Sequence, residues 1–345
     1  MSDETVDFKS KGGNYSLTNL FINKALPLLF IFTATLFSFV YQNQVYAAAA
    51  EPQLYGMVVS GRRPGPPLWK VTNQDKVLWI FGTLDYLPKK LDWDSTSVRF
   101  ELSQSEEYIS PPRIIARENN PFKAISLMRK LNRLTKNPDG MTLQDVLPED
   151  LYARFLDAKS IYAPKDKKIF NLRPQEAAGS LFRAALVSVG LSLDQKVGNR
   201  LRRIARGEGA TLITHNKSLD VDAFLQGYEN ILLEDEIACL QSTLETIETD
   251  LEAMIVRANA WANGNADLLL KLDYPDRQKV CIGSITSTDA VKSIVEQTRT
   301  EWVDSIESAL TNNKISFANF SMREIVHPDG LLTQLKQQGY VIAGQ

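Results

Sequence analysis

Two histidines, two cysteines and one cluster of arginines are the first residues from which chemistry could be built in this chain. His327 stands directly before Pro328 and three residues after Glu324, a turn-like spacing that predicts a surface or helix-entry position rather than a ligand. His215 closes the run Thr211-Leu212-Ile213-Thr214 and reads as an ordinary hydrogen-bonded histidine at a strand end. The count of two cysteines, Cys239 and Cys281, suits one disulfide, with two buried free thiols as the alternative. Such a bridge would close a loop of about 40 residues and stabilise by about 3 to 4 kcal/mol if chain entropy dominates. Neither cysteine has an evident histidine partner for nucleophilic work. No G-x-S-x-G elbow, H-E-x-x-H, P-loop or paired C-x-x-C occurs. Arg200, Arg202, Arg203 and Arg206 form a basic patch whose spacing spreads over more than one helix face, so a solvated surface is the simpler reading than an anion site.

The elements that must position these residues follow from hydrophobic periodicity. Leu68 to Val71 and Val77 to Phe81, joined by polar Thr72 to Lys76, predict an antiparallel hairpin, and Gly82-Thr83 ends its second strand. A helix is expected over Ser95 to Leu102 and a short strand at Tyr108-Ile109, stopped by Pro111-Pro112. Phe122 to Leu134, Pro148 to Ala158, Pro174 to Val189 and Leu193 to Ala205 read as helices, and 160–173 as a solvated linker. Apolar residues from Ile237 to Trp261 alternate spacings of three and four, predicting one long core-facing helix over Glu234 to Trp261, ended by Gly264. Helix (Ile294 to Leu310), strand (Ile315 to Phe320), helix (Pro328 to Gln337) and strand (Tyr340 to Ala343) close the chain. The fold class is α/β (α+β), a central mixed β-sheet with packed helices and a helical middle insertion.

The 345 residues are 44% hydrophobic and 23% charged, enough for a sizeable core in one large domain or two closely packed ones. With 39 basic against 41 acidic residues, the basic excess of a nucleic-acid binder is missing, and no nucleic acid is expected as a partner. Residues 1–47 read as a secretory signal: a leader with Lys9, Lys11 and Lys24, an apolar run from Ala25 to Val40, and small residues around Ala47 to Ala50 as the cleavage region. The expected location is periplasmic or secreted. The alternative is an uncleaved anchor, since the apolar run falls just short of the roughly 20 residues of a spanning helix. Leu54 to Ser60 and the proline-rich turn after it read as an extended entry.

Three blocks carry a resemblance. Leu68-Trp69-Lys70-Val71, a short spacer and Val77 to Pro88 with Gly82-Thr83-Leu84-Asp85 form the first. Arg257-Ala258-Asn259-Ala260-Trp261-Ala262-Asn263-Gly264-Asn265, followed by Tyr274-Pro275-Asp276, is the second, and Val326-His327-Pro328-Asp329-Gly330-Leu331-Leu332 the third. They resemble the TraB/GumN family over residues 48–345. Its metal-dependent, peptidase-like members are thought to hold a divalent ion with two G-x-x-H histidines and an acidic residue.

What the resemblance implies is a site whose positions have been replaced. Gly82 persists, but Asp85 stands in place of the first histidine. The second motif falls on Ser321-Met322-Arg323-Glu324, so Glu324 replaces the other histidine. The acidic position falls on Pro111, and Arg299 is displaced by one position in the segment ending at Trp302. The degenerate-site candidates are therefore Gly82, Asp85, Glu324 and Arg299. A non-catalytic binding or accessory protein of the cell envelope is expected, with an unidentified protein or peptide ligand and no cofactor. One alternative is a metal-dependent hydrolase in which Asp85 and Glu324 hold Mg²⁺, Mn²⁺ or Ca²⁺ through oxygen. A second is a structural partner in envelope or exopolysaccharide assembly.

Overall fold

The computed structural model describes residues 65–344 apart from 92, 117, 194, 195, 276, 287 and 288. The stretches read from the sequence as a signal segment, its cleavage region and an extended entry lie outside the described residues. Ten strands are described: β1 Leu68–Asn73, β2 Lys76–Thr83, β3 Leu87–Pro88, β4 Glu107–Ile109, β5 Arg113–Ala116, β6 Leu191–Ser192, β7 Thr211–Ile213, β8 Asn216–Leu219, β9 Ile315–Ser321 and β10 Val341–Gly344. Six of them form one mixed sheet in the order β10-β1-β2-β9-β4-β7. β1 pairs antiparallel with β10 and β2, whereas β2, β9, β4 and β7 run parallel. The expected hairpin is present with a tighter turn, since Thr72, Asn73 and Lys76 join the strands and Gln74 takes φ 54°.

Successive residues of a strand face opposite sides of a sheet. Leu78, Trp79, Ile80 and Phe81 of β2 are all buried, as are Phe317, Ala318 and Phe320 of β9, so both faces of the sheet's centre are covered. This is why β2 reads as a near-continuous apolar run. Ser316 and Asn319, the polar residues buried in β9, are satisfied by Glu107 and by the Tyr108 hydroxyl.

Helices fill the expected middle: Pro121–Leu134, Glu149–Tyr162 and Pro174–Ser188, the first capped by Asn120, whose Oδ1 accepts the amide of Phe122 at 3.0 Å. The predicted linker 160–173 is not simply solvated. Lys168–Asn171 forms a 3₁₀ turn that buries Ile169 completely, an anchor masked in the sequence by the charges around it.

The long helix expected over Glu234 to Trp261 is two helices, Leu233–Thr249 and Leu251–Ala262, broken at Asp250. Arg257 reaches back to the Asp250 carboxylate, its Nη1 donating to Oδ1 at 2.9 Å, and also donates to the carbonyl of Asp273. The apolar stripe continues across the break because Leu251, Met254, Ala258 and Trp261 remain buried. Cys239 and Cys281 are joined, linking Leu233–Thr249 to the helix Arg277–Thr286. Among the described residues no helix is long and apolar enough to cross a membrane.

Candidate functional site

β2 and β9 lie side by side and parallel, with Gly82 opposite Phe320 and Thr83 opposite Ser321. The residues just past the two strands are thereby delivered to one sheet edge, where open α/β sheets commonly take their ligands. Asp85 follows β2 by two residues. Glu324 sits in the short helix Met322–Val326 that begins at the end of β9. Pro111 follows β4, the other parallel neighbour of β9, past Ser110, whose amide and hydroxyl both donate to the carbonyl of Ile213.

Ser321 and Glu324 form a capping box. The Ser321 hydroxyl accepts the Glu324 amide at 3.2 Å, and Glu324 Oε2 accepts the Ser321 hydroxyl at 2.9 Å and its amide at 3.2 Å. Much of what the carboxylate could offer a ligand is therefore spent on the helix end. Crowding by the surrounding protein pushes the Glu324 carboxyl above its ordinary value although the residue keeps solvent contact. The bonds from Ser321 and the charge of Arg299 pull it down, and the charge of Asp85 pushes it further up. Asp85, Arg299 and Glu324 thus share one electrostatic neighbourhood despite their distance in sequence.

Arg323, one residue before Glu324, places Nη2 at 3.4 Å from Oδ2 of Asp85 and donates to the carbonyl of Pro275 at 3.3 Å. A guanidinium therefore faces the carboxylate that stands at the first histidine position. Sequence reasoning missed Arg323 because it lies inside the motif between two compared positions.

A shallow concavity, about 410 Å³ with its open mouth included, lies on the Asp85 side, lined among others by Tyr86, Asp250, Arg257, Tyr274, Arg277 and Arg323. Glu324, Arg299 and Pro111 are not part of its lining. Arg277 stacks over Phe182 at 4.1 Å and donates to the Thr243 hydroxyl at 3.1 Å, so two cationic walls are held rigidly by Asp250 and Phe182.

Gly82 survives for a packing reason. A Cβ there would strike the Met322 sulfur and come within 2.9 Å of the Trp69 ring. Gly330 is constrained likewise, because the Pro328-Asp329-Gly330 turn folds under the short helix and a Cβ would collide with the carbonyl of Glu324. Trp302 is buried and stacks on Phe320 with centroids 4.1 Å apart.

The histidines take no part in the site. His215 lies between β7 and β8, with Nε2 at 2.7 Å from the Ser305 hydroxyl and Nδ1 at 3.8 Å from Glu301. His327 is exposed, and its Nδ1 accepts the Asp329 amide at 3.1 Å. A divalent ion bound by two histidines and an acid would meet two carboxylates here, one facing a guanidinium and the other engaged in a helix cap, together with a proline. No group of three or more His, Cys, Asp or Glu residues that could hold a metal comes together among the described residues. These residues do not reproduce the donor set that a peptidase-type metal centre needs.

No curated protein and no solved structure matches the chain. The TraB/PrgY/gumN family profile matches residues 67–343, from the first strand to the last and through both motif positions. This chain belongs to the TraB/PrgY/gumN family.

Proposed function

We propose that this protein is an exported, non-catalytic member of its family, a binding or accessory protein of the cell envelope that keeps the cleft and has lost the metal chemistry. The observation that carries this reading is the placement of Arg323 against Asp85. A fixed guanidinium beside one carboxylate repels a dication there, and the other carboxylate is held by the Ser321 cap. The pocket next to Asp85 carries both signs of charge, supplied by Arg257, Arg277 and Arg323 with Asp85 and Asp250, and an aromatic wall at Tyr274. That mixture suits a polar peptide or protein segment better than a wholly apolar ligand.

The test is elemental analysis of the protein purified without chelator, combined with a peptide-hydrolysis assay. The expected outcome is neither stoichiometric Mn²⁺ or Mg²⁺ nor hydrolysis. About one metal per chain together with hydrolysis, both lost in Asp85→Ala, would establish the carboxylate-ligated hydrolase instead. A variant carrying Asp85→His, Pro111→Glu and Glu324→His asks whether ligands alone are missing. With Arg323 still facing position 85, the expected gain of metal affinity is small until Arg323→Ala is added.

A further inference from the structure

A second concavity, built from other residues, lies beyond the Asp85 segment. Its volume is about 800 Å³ including the open mouth. One wall is the strand β3 with the segment after it, carrying Leu87, Pro88, Lys89, Leu91 and Trp93; the other is the start of the helix Val197–Gly207. β3 pairs with β6, Leu87 opposite Ser192, and this pairing fixes the spacing of the two walls.

The composition of the lining is unusual for a chain whose charges nearly cancel. Lys89, Lys196, Arg200 and Arg203 line the pocket, and among the described residues of its lining there is no carboxylate. Lys196, Arg200 and Arg203 recur at spacings of four and three, so they form one stripe along one face of the helix. Arg202 belongs to a different face. It is half-buried beside Tyr108 and Arg113, where burial depresses its pKa, and it bonds Asn199. The four arginines of this segment are therefore not one diffuse patch, and the two that line the pocket gain two lysines as neighbours.

The side chains of Lys89, Lys196 and Arg203 enter no ion pair or hydrogen bond among the described residues. Arg200 is pre-positioned: its guanidinium lies 4.6 Å above the Trp93 ring, and Nη2 donates to the Ser95 hydroxyl at 2.9 Å. Between the cations the lining is apolar, formed by buried Leu87, Trp93 and Val197 and partly buried Leu91. Like charges lining one concavity repel one another, and an anion would relieve that repulsion. An apolar group on the same molecule would cover the floor.

We propose that this pocket binds a small anionic amphiphile, a phosphate monoester carrying an aromatic or short acyl group. The phosphate lies among Lys196, Arg200 and Arg203, and the apolar group sits on Leu87, Leu91 and Val197. Lys196 and Arg203 offer the dianion charge-assisted hydrogen bonds that no described residue takes up, and Arg200 adds its charge from its place over Trp93.

The probe is phenyl phosphate, titrated calorimetrically into the full chain beside inorganic phosphate and phenol. Saturable binding is expected for phenyl phosphate, at least about tenfold tighter than for either fragment, because both halves of the site must be filled together. The double variant Lys196→Glu/Arg203→Glu, with folding checked by its thermal midpoint, is expected to weaken binding at least about tenfold. Lys90→Glu, an exposed reversal on the same loop that does not line the pocket, is expected to change it less than about threefold. Equal affinity for inorganic phosphate, an equal effect of Lys90→Glu, or no saturation by about 10 mM phenyl phosphate would each overturn the proposal. So would binding to anionic lipid vesicles in the absence of any affinity for phenyl phosphate, which would assign the cations to a membrane surface instead.

Discussion

The indole Nε1 of Trp261 donates to the carbonyl oxygen of Gly82 over 2.7 Å, with the tryptophan wholly buried. This bond joins two of the three blocks by which the family is recognised. The Trp261 ring also packs edge-on against Phe81 at 5.9 Å and against Trp93 at 5.7 Å. The end of β2, just before the turn that carries Asp85, is thus held by a side chain 179 residues away in sequence.

Trp261→Phe keeps most of the apolar ring and leaves the Gly82 carbonyl without its donor, which should cost about 1 to 3 kcal/mol. Gly82→Ala should cost a similar amount by overpacking against Met322 and Trp69. Denaturant unfolding reads both as a lower midpoint at unchanged slope. A Gly82→Ala protein as stable as the parent would remove the packing explanation for this glycine.

The break between Leu233–Thr249 and Leu251–Ala262 rests on a second buried pair, Asp250 with Arg257, both nearly inaccessible. Removing one partner strands the other charge, so Asp250→Ala and Arg257→Ala should each destabilise by about 3 to 5 kcal/mol. The double variant should lose clearly less than the sum, because the second removal relieves the charge that the first exposes. Strict additivity would mean that the pair is not coupled.

Legibility in the sequence obeys the same physics. The hairpin and β9 were readable because strands buried on both faces are mostly apolar, and their placement carried Asp85 and Glu324 to one edge. The break at Asp250 was not readable, since the apolar spacing continues unchanged across it and only the reach of Arg257 marks it. Ile169 was hidden by the charged run before it. Arg323 lay beyond reach for a different reason: a motif names which positions to compare, whereas the direction of a long side chain is set by what it finds in space.

Cys239 and Cys281 close a loop with a sequence separation of 42 and pin the helix Arg277–Thr286 against Leu233–Thr249. Replacing both by Ser should lower stability by about 4 kcal/mol on the chain-entropy account. Thiol titration under denaturing, non-reducing conditions should find no free thiol in the parent protein. Two titrating thiols per chain would refute the bridge and weaken the expectation of export.

Glu236 offers a pH signature. It is almost inaccessible, its Oε1 pairs with Arg173, and its Oε2 has no hydrogen-bond partner among the described residues. Burial pushes its carboxyl up to about 7, against the pull of the Arg173 charge. A carboxyl raised on folding holds its proton more tightly in the native state than in the unfolded one. Its contribution is therefore fully present below the unfolded value near 4.5 and lost as pH rises through about 7. The parent protein should gain stability relative to Glu236→Gln as pH falls from about 8 to about 5, because glutamine cannot titrate. Thermal midpoints of the two proteins, taken in parallel across that range, measure the difference. A difference that stays constant with pH would show that Glu236 is ionised throughout, held by Arg173 more strongly than burial opposes it.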